Sequence, residues 1–195
     1  DLVEPAALTR LCATRPSQEG SPGRPRPTPS LEEVETVLEV LPEGWRAPVE
    51  IQLRGGMRIG ELLQMRPRLI QIEGKIWIYR PTSHKSTHCG RERNILLGPR
   101  SQALLRPLLP KDEGRLVFTF TARTYNRALA TACARAGVER FSSHALRRSW
   151  GTLIRKRFGL DHARAALGHS SPTVTAEFYA DLDIGVGREA ALELG

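Results

Sequence analysis

The 195 residues hold 29 Lys and Arg against 21 Asp and Glu, a formal net charge of +8, and 40% of them are apolar. That length and apolar share suit one domain with a sizeable core and a short appendage, and the positive excess points to a polyanionic partner whose phosphates release counterions to Lys and Arg. No apolar run is long enough to span a membrane, no secretory signal is present, and Cys12, Cys89 and Cys133 are scattered without a CxxC pair, which argues against a disulfide framework or a zinc ribbon and suits a reducing cytoplasm.

The first residue is Asp1 rather than Met, so the sequence is expected to be a piece of a longer protein. Leu2 to Ala13 suits a short helix. Arg15 to Pro29 is crowded with Pro, Gly, Ser and Arg and reads as a linker. Residues 1–29 are therefore expected to form an N-terminal segment, and residues 30–195 the folded domain. The domain opens on a capping box, Ser30-Leu31-Glu32-Glu33, followed by Val34, Val37, Leu38 and Leu41 at helical spacing. A second helix is predicted over about Pro48 to Leu53, broken by Gly55-Gly56. A third runs through Met57 to Leu63 and must end before Pro67. Arg58 sits at its start, and Glu61, three residues on, can reach back to the guanidinium.

Leu69 to Ile72 and Lys75 to Tyr79 alternate and are rich in β-formers, with Glu73-Gly74 between them as a tight turn. Arg80 to Gly90 is a polar loop that carries Lys85, and Glu92 to Leu97 reads as a third strand. Helices are predicted at about Ser101 to Leu109 and Ala122 to Ala136, the second ended by Gly137. Ser142 or Ser143 then caps a helix whose apolar positions are Leu146, Trp150, Leu153 and Ile154 and which stops at Gly159. His144 and Arg147 lie in its first turn, three residues apart and on the same side, where unpaired backbone N–H groups favour an anion. Asp161 reads as the cap of a short helix, His162 to Leu167, closed by Gly168. His169 follows in the turn. Ser171-Pro172 then starts a helix that carries Val174 and Phe178 on one face, with Tyr179 beside Phe178. Gly187 to Leu194 reads as a short terminal helix. The predicted class is mainly α with a small three-stranded antiparallel sheet.

These residue types suit chemistry at a phosphodiester. Cleavage builds charge on the nonbridging oxygens and expels a poor alkoxide, so a reaction without metal needs cationic clamps, a nucleophile and a proton donor. Arg58 and Arg147 suit the clamp because the guanidinium fork donates two bonds to phosphate and stays charged. Tyr179 can attack phosphorus and hold the product covalently. Lys85 can protonate the leaving oxygen, and His144 and His169 can accept a proton or bond the phosphate. No acidic cluster for Mg²⁺ accompanies them, and His84, His88 and Cys89 lack a fourth ligand, so no metal is expected. Taken singly, each has a plainer explanation: an i,i+3 ion pair for Arg58, core packing for Tyr179. Their conjunction carries the functional reading.

In order, Arg58-Ile-Gly-Glu61-Leu-Leu, Lys85 ahead of a strand, His144-Ala-Leu-Arg147, Leu167-Gly168-His169 and Tyr179 resemble the catalytic domain of the tyrosine recombinase (phage integrase) family. The resemblance covers about Ser30 to the C-terminus. It implies a mostly helical DNA breaking-rejoining fold with a small sheet at one edge. It implies that Tyr179 attacks a DNA phosphate to give a 3′-phosphotyrosyl link and a free 5′-hydroxyl, and that a second strand's 5′-hydroxyl reverses the step without cofactor. On it, Arg58, Arg147 and His169 bind the scissile phosphate, Lys85 is the general acid, His144 assists proton transfer and Glu61 orients Arg58. Members usually carry a further helical domain ahead of the catalytic one, of which Leu2 to Ala13 would be the last helix. Arg148 stands where many members have His.

Arg148, Arg155 and Lys156 are candidate DNA contacts, although Arg155 and Arg157 cannot share one helical side. The expected partner is double-stranded DNA, bound as a homotetramer, with a monomer or weak oligomer in its absence and no membrane. The expected location is a bacterial or phage-encoded cytoplasmic setting, and the tail helix is expected to dock on a neighbouring subunit. Three other readings compete: a type IB topoisomerase-like enzyme that religates the same strand, a DNA-binding relative without catalysis, and a basic helical scaffold with no salt-dependent DNA affinity.

Overall fold

A computed structural model of the chain describes residues 28–82, 93–168 and 187–195. The predicted helix at Leu2 to Ala13, most of the Pro-rich linker, the Lys85 loop with His84, His88 and Cys89, and the stretch holding His169, Ser171-Pro172, Val174, Phe178 and Tyr179 lie outside the described residues.

Helix α1 (Leu31–Val40) starts on its capping box. Ser30 Oγ accepts from the Glu33 N–H at 3.1 Å, and the Glu33 carboxylate accepts from the Ser30 N–H at 2.7 Å. Two N–H groups that the first turn cannot satisfy by itself are thus paired. Helix α2 (Arg46–Arg54) begins two residues before the predicted Pro48. A proline is tolerated there because a first-turn N–H has no partner one turn back. The predicted third helix loses its first two residues. Met57 and Arg58 are not helical, Arg58 takes the extended N-cap position, and α3 is Ile59–Leu63.

Strands β1 (Ile70–Glu73), β2 (Ile76–Tyr79) and β3 (Ile95–Leu97) form one antiparallel sheet in that order. Glu73 pairs with Ile76, so the hairpin turn is Gly74-Lys75, one residue later than predicted, and Gly74 supplies its positive φ of 55°. β3 begins at Ile95 rather than Glu92.

Helix α4 (Pro99–Leu105) gives way to a 3₁₀ turn, Arg106–Leu108, in place of one helix from Ser101 to Leu109. The cause is Pro107, which has no N–H to extend the α ladder. Helix α5 (Ala122–Ala136) matches its prediction at both ends, between the Thr121 cap and Gly137 in the left-handed region. Helix α6 (Ser143–Phe158) also stops at Gly159 as predicted.

Helix α7 (Leu160–Leu167) corrects the reading of Asp161 as its cap. Gly159, at φ 96°, holds that position, and Asp161 sits one residue inside the helix, 3.7 Å from Arg164. Residues 187–194 form a last helix, α8. α8 packs against α2 and the start of α4. Ala190 and Ala191 are buried, Arg54 donates to the Leu194 carbonyl at 2.7 Å, and the Ser101 N–H donates to the Gly195 carbonyl at 2.9 Å.

One core joins these elements. Val37, Ile51, Met57, Leu62, Trp77, Tyr79, Tyr125, Leu146 and Ile154 belong to a single buried cluster. The sheet contributes through Trp77, Tyr79, Ile95 and Leu97, so it closes one edge of a helical body.

Candidate phosphate-binding site

The site is built on a buried glutamine. Gln52, fully buried in α2, donates to the Met57 carbonyl at 3.1 Å and to the Ser143 carbonyl at 3.3 Å. Its Oε1 accepts from the Tyr125 hydroxyl at 2.5 Å. One side chain therefore ties the residue before Arg58 to the first residue of the helix that carries Arg147. Burial holds the Tyr125 phenol well above its ordinary pKa, so it stays a donor.

The glycine break after α2 brings the backbone close to α6 and α7. A Cβ on Gly56, whose φ is +56°, would fall 2.7 Å from Trp150 Cδ1. A Cβ on Gly151 would fall 2.6 Å from Leu167 Cδ1. Only glycines let the Arg58 turn, α6 and the end of α7 meet here without a shift.

Arg58 and Glu61 form the ion pair that their spacing suggests. Arg58 Nη1 donates to Glu61 Oε1 at 2.8 Å, and the Arg58 backbone N–H donates to Oε2 at 2.8 Å. The carboxylate is 2% exposed and the arginine side chain 30%. The Tyr79 hydroxyl holds the same turn from the sheet by donating to the Glu61 carbonyl at 2.5 Å.

Arg147 is buried at 3% exposure. It donates to the Gly56 carbonyl and to the Leu167 carbonyl, so it spans the break before Arg58 and the end of α7. Burial lowers its pKa most, and the nearby Arg93 and Arg58 charges lower it further against the opposing pull of Glu61, from the ordinary arginine range to about 9. Among the described residues, three guanidiniums thus act around one carboxylate, and Arg58 opens to solvent.

His144 behaves differently from Arg147. It lies on the exposed side of the α6 start while Arg147 points inward. The anion-favouring first turn is also partly occupied, because Asn126 Oδ1 accepts the Ser143 N–H at 3.0 Å. Ser142 holds the cap position without a side-chain hydrogen bond. Arg155 and Lys156 are exposed and Arg148 is half-buried. Arg157, on the same stretch, pairs with Glu193 of α8.

Sequence reasoning missed Arg93 and Gln52. Arg93 lies two residues before β3, 3.8 Å from Glu61. Its only sequence signal is a charge beside an apolar strand. Gln52 stands among Val49, Ile51 and Leu53, all buried, and a polar residue inside an apolar helical run is a signal that was available. Among the described residues no three His, Cys, Asp or Glu side chains group as metal ligands, and no helix is long and apolar enough to cross a membrane.

A mostly helical body with a small antiparallel edge sheet is the fold of the recombinases on which the chain superposes. The chain superposes with a TM-score of 0.60 on the XerH site-specific recombinase bound to palindromic difH substrate, at 25% identity, covering 90% of this chain and 55% of that one. Lambda integrase residues 75–356, a dimer bound to a COC′ core site, superposes at 0.59 with 19% identity over 86% of this chain and 65% of that one. XerA recombinase superposes at 0.58 with 21% identity, over 92% of this chain and 69% of its own. The profile of the phage integrase family matches residues 31–184, and the chain belongs to that family. It spans 55% and 52% of the two XerH chains. No curated protein sequence matches it.

Proposed function

We propose that residues 30–195 are the catalytic part of a site-specific DNA recombinase that cuts and rejoins strands through a 3′-phosphotyrosyl intermediate. The observation that carries this reading is the convergence of Arg58, Arg93 and Arg147 on Glu61, an excess of positive charge among the described residues. A cluster with more guanidiniums than carboxylates gains from an entering anion, and a phosphodiester supplies one. XerH and lambda integrase, whose solved complexes contain DNA sites, support DNA as the source of that phosphate.

The reaction assigns one job to each group. Arg58 and Arg147, with His169, hold the nonbridging oxygens. The Tyr179 oxygen bonds to phosphorus while the bond to the 5′-oxygen breaks, and Lys85 gives that oxygen its proton. His144 assists proton transfer from its exposed position, and Glu61 fixes the Arg58 fork. A 5′-hydroxyl from a second strand then attacks the phosphotyrosine and releases Tyr179. Bond energy is kept in the covalent link, so neither ATP nor metal is called for. Arg148, Arg155 and Lys156 contact the duplex. The working assembly is a homotetramer on DNA, in a bacterial or phage-encoded cytoplasmic setting.

The test is covalent capture on a library of nicked duplexes with peptide mapping of the adduct. An adduct at Tyr179 is expected, and Tyr179→Phe should keep DNA binding and form none. Capture by that variant, or an adduct mapped elsewhere, sinks the assignment.

A further inference from the structure

We propose that Arg93 is a positioning residue of this site: its guanidinium bridges the Glu61 carboxylate and the C-terminal end of α7, and so keeps Arg58 and Arg147 convergent. The link to strand exchange rests on the function proposed above, while the bridge itself does not.

Arg93 is only 6% exposed. Its Nε lies 3.8 Å from Glu61 Oε1, the oxygen that also accepts from Arg58 Nη1 at 2.8 Å. Both of its terminal nitrogens donate to the Ala166 carbonyl at 3.3 Å, and Nη1 also lies 3.3 Å from its neighbour's carbonyl, Asn94 O. The last carbonyls of a helix have no donor within the helix. At α7 the Gly168 N–H serves Ala165 and Arg164. Arg93 serves Ala166, and Arg147 serves Leu167. Two guanidiniums thus cap adjacent carbonyls, and their positive charge suits the negative end of the helix dipole.

The geometry leaves room for this only at a glycine. Gly168 has φ +60°, and a Cβ there would sit 2.6 Å from Arg93 Nη1 and 3.1 Å from its Cδ. Arg93 is held from two sides, by Glu61 and by the Ala166 carbonyl, and its side chain is 5% exposed against 30% for Arg58. Its rigid planar guanidinium lies against a carboxylate through Nε and a carbonyl through both terminal nitrogens, whereas lysine offers one compact ammonium on a flexible stem that cannot hold both positions at once.

The test compares Arg93→Met and Arg93→Lys with the unaltered chain in two measurements. Amide hydrogen exchange reads the bridge. In Arg93→Met, exchange at residues 165–168 should rise at least about tenfold while α5 stays unchanged, because only the local anchor is lost. Adduct formation on a nicked duplex reads the consequence. At saturating DNA its rate should fall about 100-fold, as misplacement of reacting groups by about 1 Å can do. The half-saturating DNA concentration should stay within about threefold, and Arg93→Lys should recover part of the rate. Unchanged exchange at 165–168 overturns the bridge whatever the activity. A full rate from the folded Met variant overturns positioning, and a loss confined to half-saturation makes Arg93 a DNA contact instead. If Arg93→Met does not fold, Arg93→Lys gives the same two readings, with smaller changes expected. If the unaltered chain binds DNA but forms no adduct, the proposed reaction fails, and the exchange measurement still decides the bridge.

Discussion

Arg147 is held at a cost that a substitution can expose. Its pKa is held well below the ordinary arginine range, at about 9, chiefly through burial and then through Arg93 and Arg58. At about 1.4 kcal/mol for each factor of ten, keeping it charged at neutral pH costs about 5 kcal/mol. Arg147→Met keeps most of the apolar stem and removes the charge, but strands the Gly56 and Leu167 carbonyls that Arg147 now serves. Two stranded buried carbonyls cost about 2–6 kcal/mol together. The two effects offset each other, so urea unfolding at pH 7 should place the variant within about 3 kcal/mol of the unaltered chain, although it should lose covalent capture. The pH dependence has a definite sign. Below about pH 9 folded and unfolded chains both keep the Arg147 proton, and the whole penalty is present. Above it the folded chain has released the proton while the unfolded chain still binds it, so stability rises with pH until the unfolded chain's guanidinium titrates too. The unaltered chain should therefore gain about 2 kcal/mol on the Met variant between about pH 8 and pH 10.5. A stability difference that does not change with pH, or a loss above about 5 kcal/mol at pH 7, would refute the reasoning, because the carbonyl caps would then dominate.

Three further outcomes are expected. Tyr125→Phe deletes the 2.5 Å bond to Gln52 and should cost about 1–3 kcal/mol in urea unfolding; a smaller loss would mean that Gln52 is not held by that hydroxyl. Gly151→Ala puts a Cβ 2.6 Å from the end of the Leu167 side chain. The clash should cost about 1–3 kcal/mol, offset by about 1 kcal/mol of helix propensity at this mid-helix glycine, so the net loss should stay below about 2 kcal/mol; hydrogen exchange should speed at α7 more than at α5, and equal acceleration at both would argue against a local clash. Arg155→Ser with Lys156→Ser removes two exposed charges; stability should hold, while the slope of log affinity against log salt for a duplex should shrink by about 2. An unchanged slope removes both residues from the DNA face.

Much of the fold is legible in the sequence because its signals are local. The α1 capping box closes over three residues, and α5 runs from a Thr cap to a left-handed Gly. The turn of the β1–β2 hairpin needs a positive φ that Gly74 provides. Misreadings came where two local signals compete. Pro107 stopped α4 inside an apolar run that otherwise continues to Leu109, and Gly159 took the cap position at which Asp161 is the commoner residue type.

At the candidate site the division is sharper. Arg58 and Glu61 lie three residues apart, so the pair was legible from spacing, although Arg58 makes it from the extended N-cap position rather than from inside the helix. Arg147 could be marked by its spacing from His144, but its burial could not, because its two acceptors lie 91 and 20 residues away along the chain. Arg93 reaches Ala166 across 73 residues, and Gln52 reaches Ser143 across 91. A charge before a strand and an amide in a helix are solvated surface groups until a second segment closes over them. Which carbonyls they meet, and how many guanidiniums share the one carboxylate, were decided by packing of glycine-lined surfaces between distant segments, since burial and desolvation exist only once those surfaces are in contact.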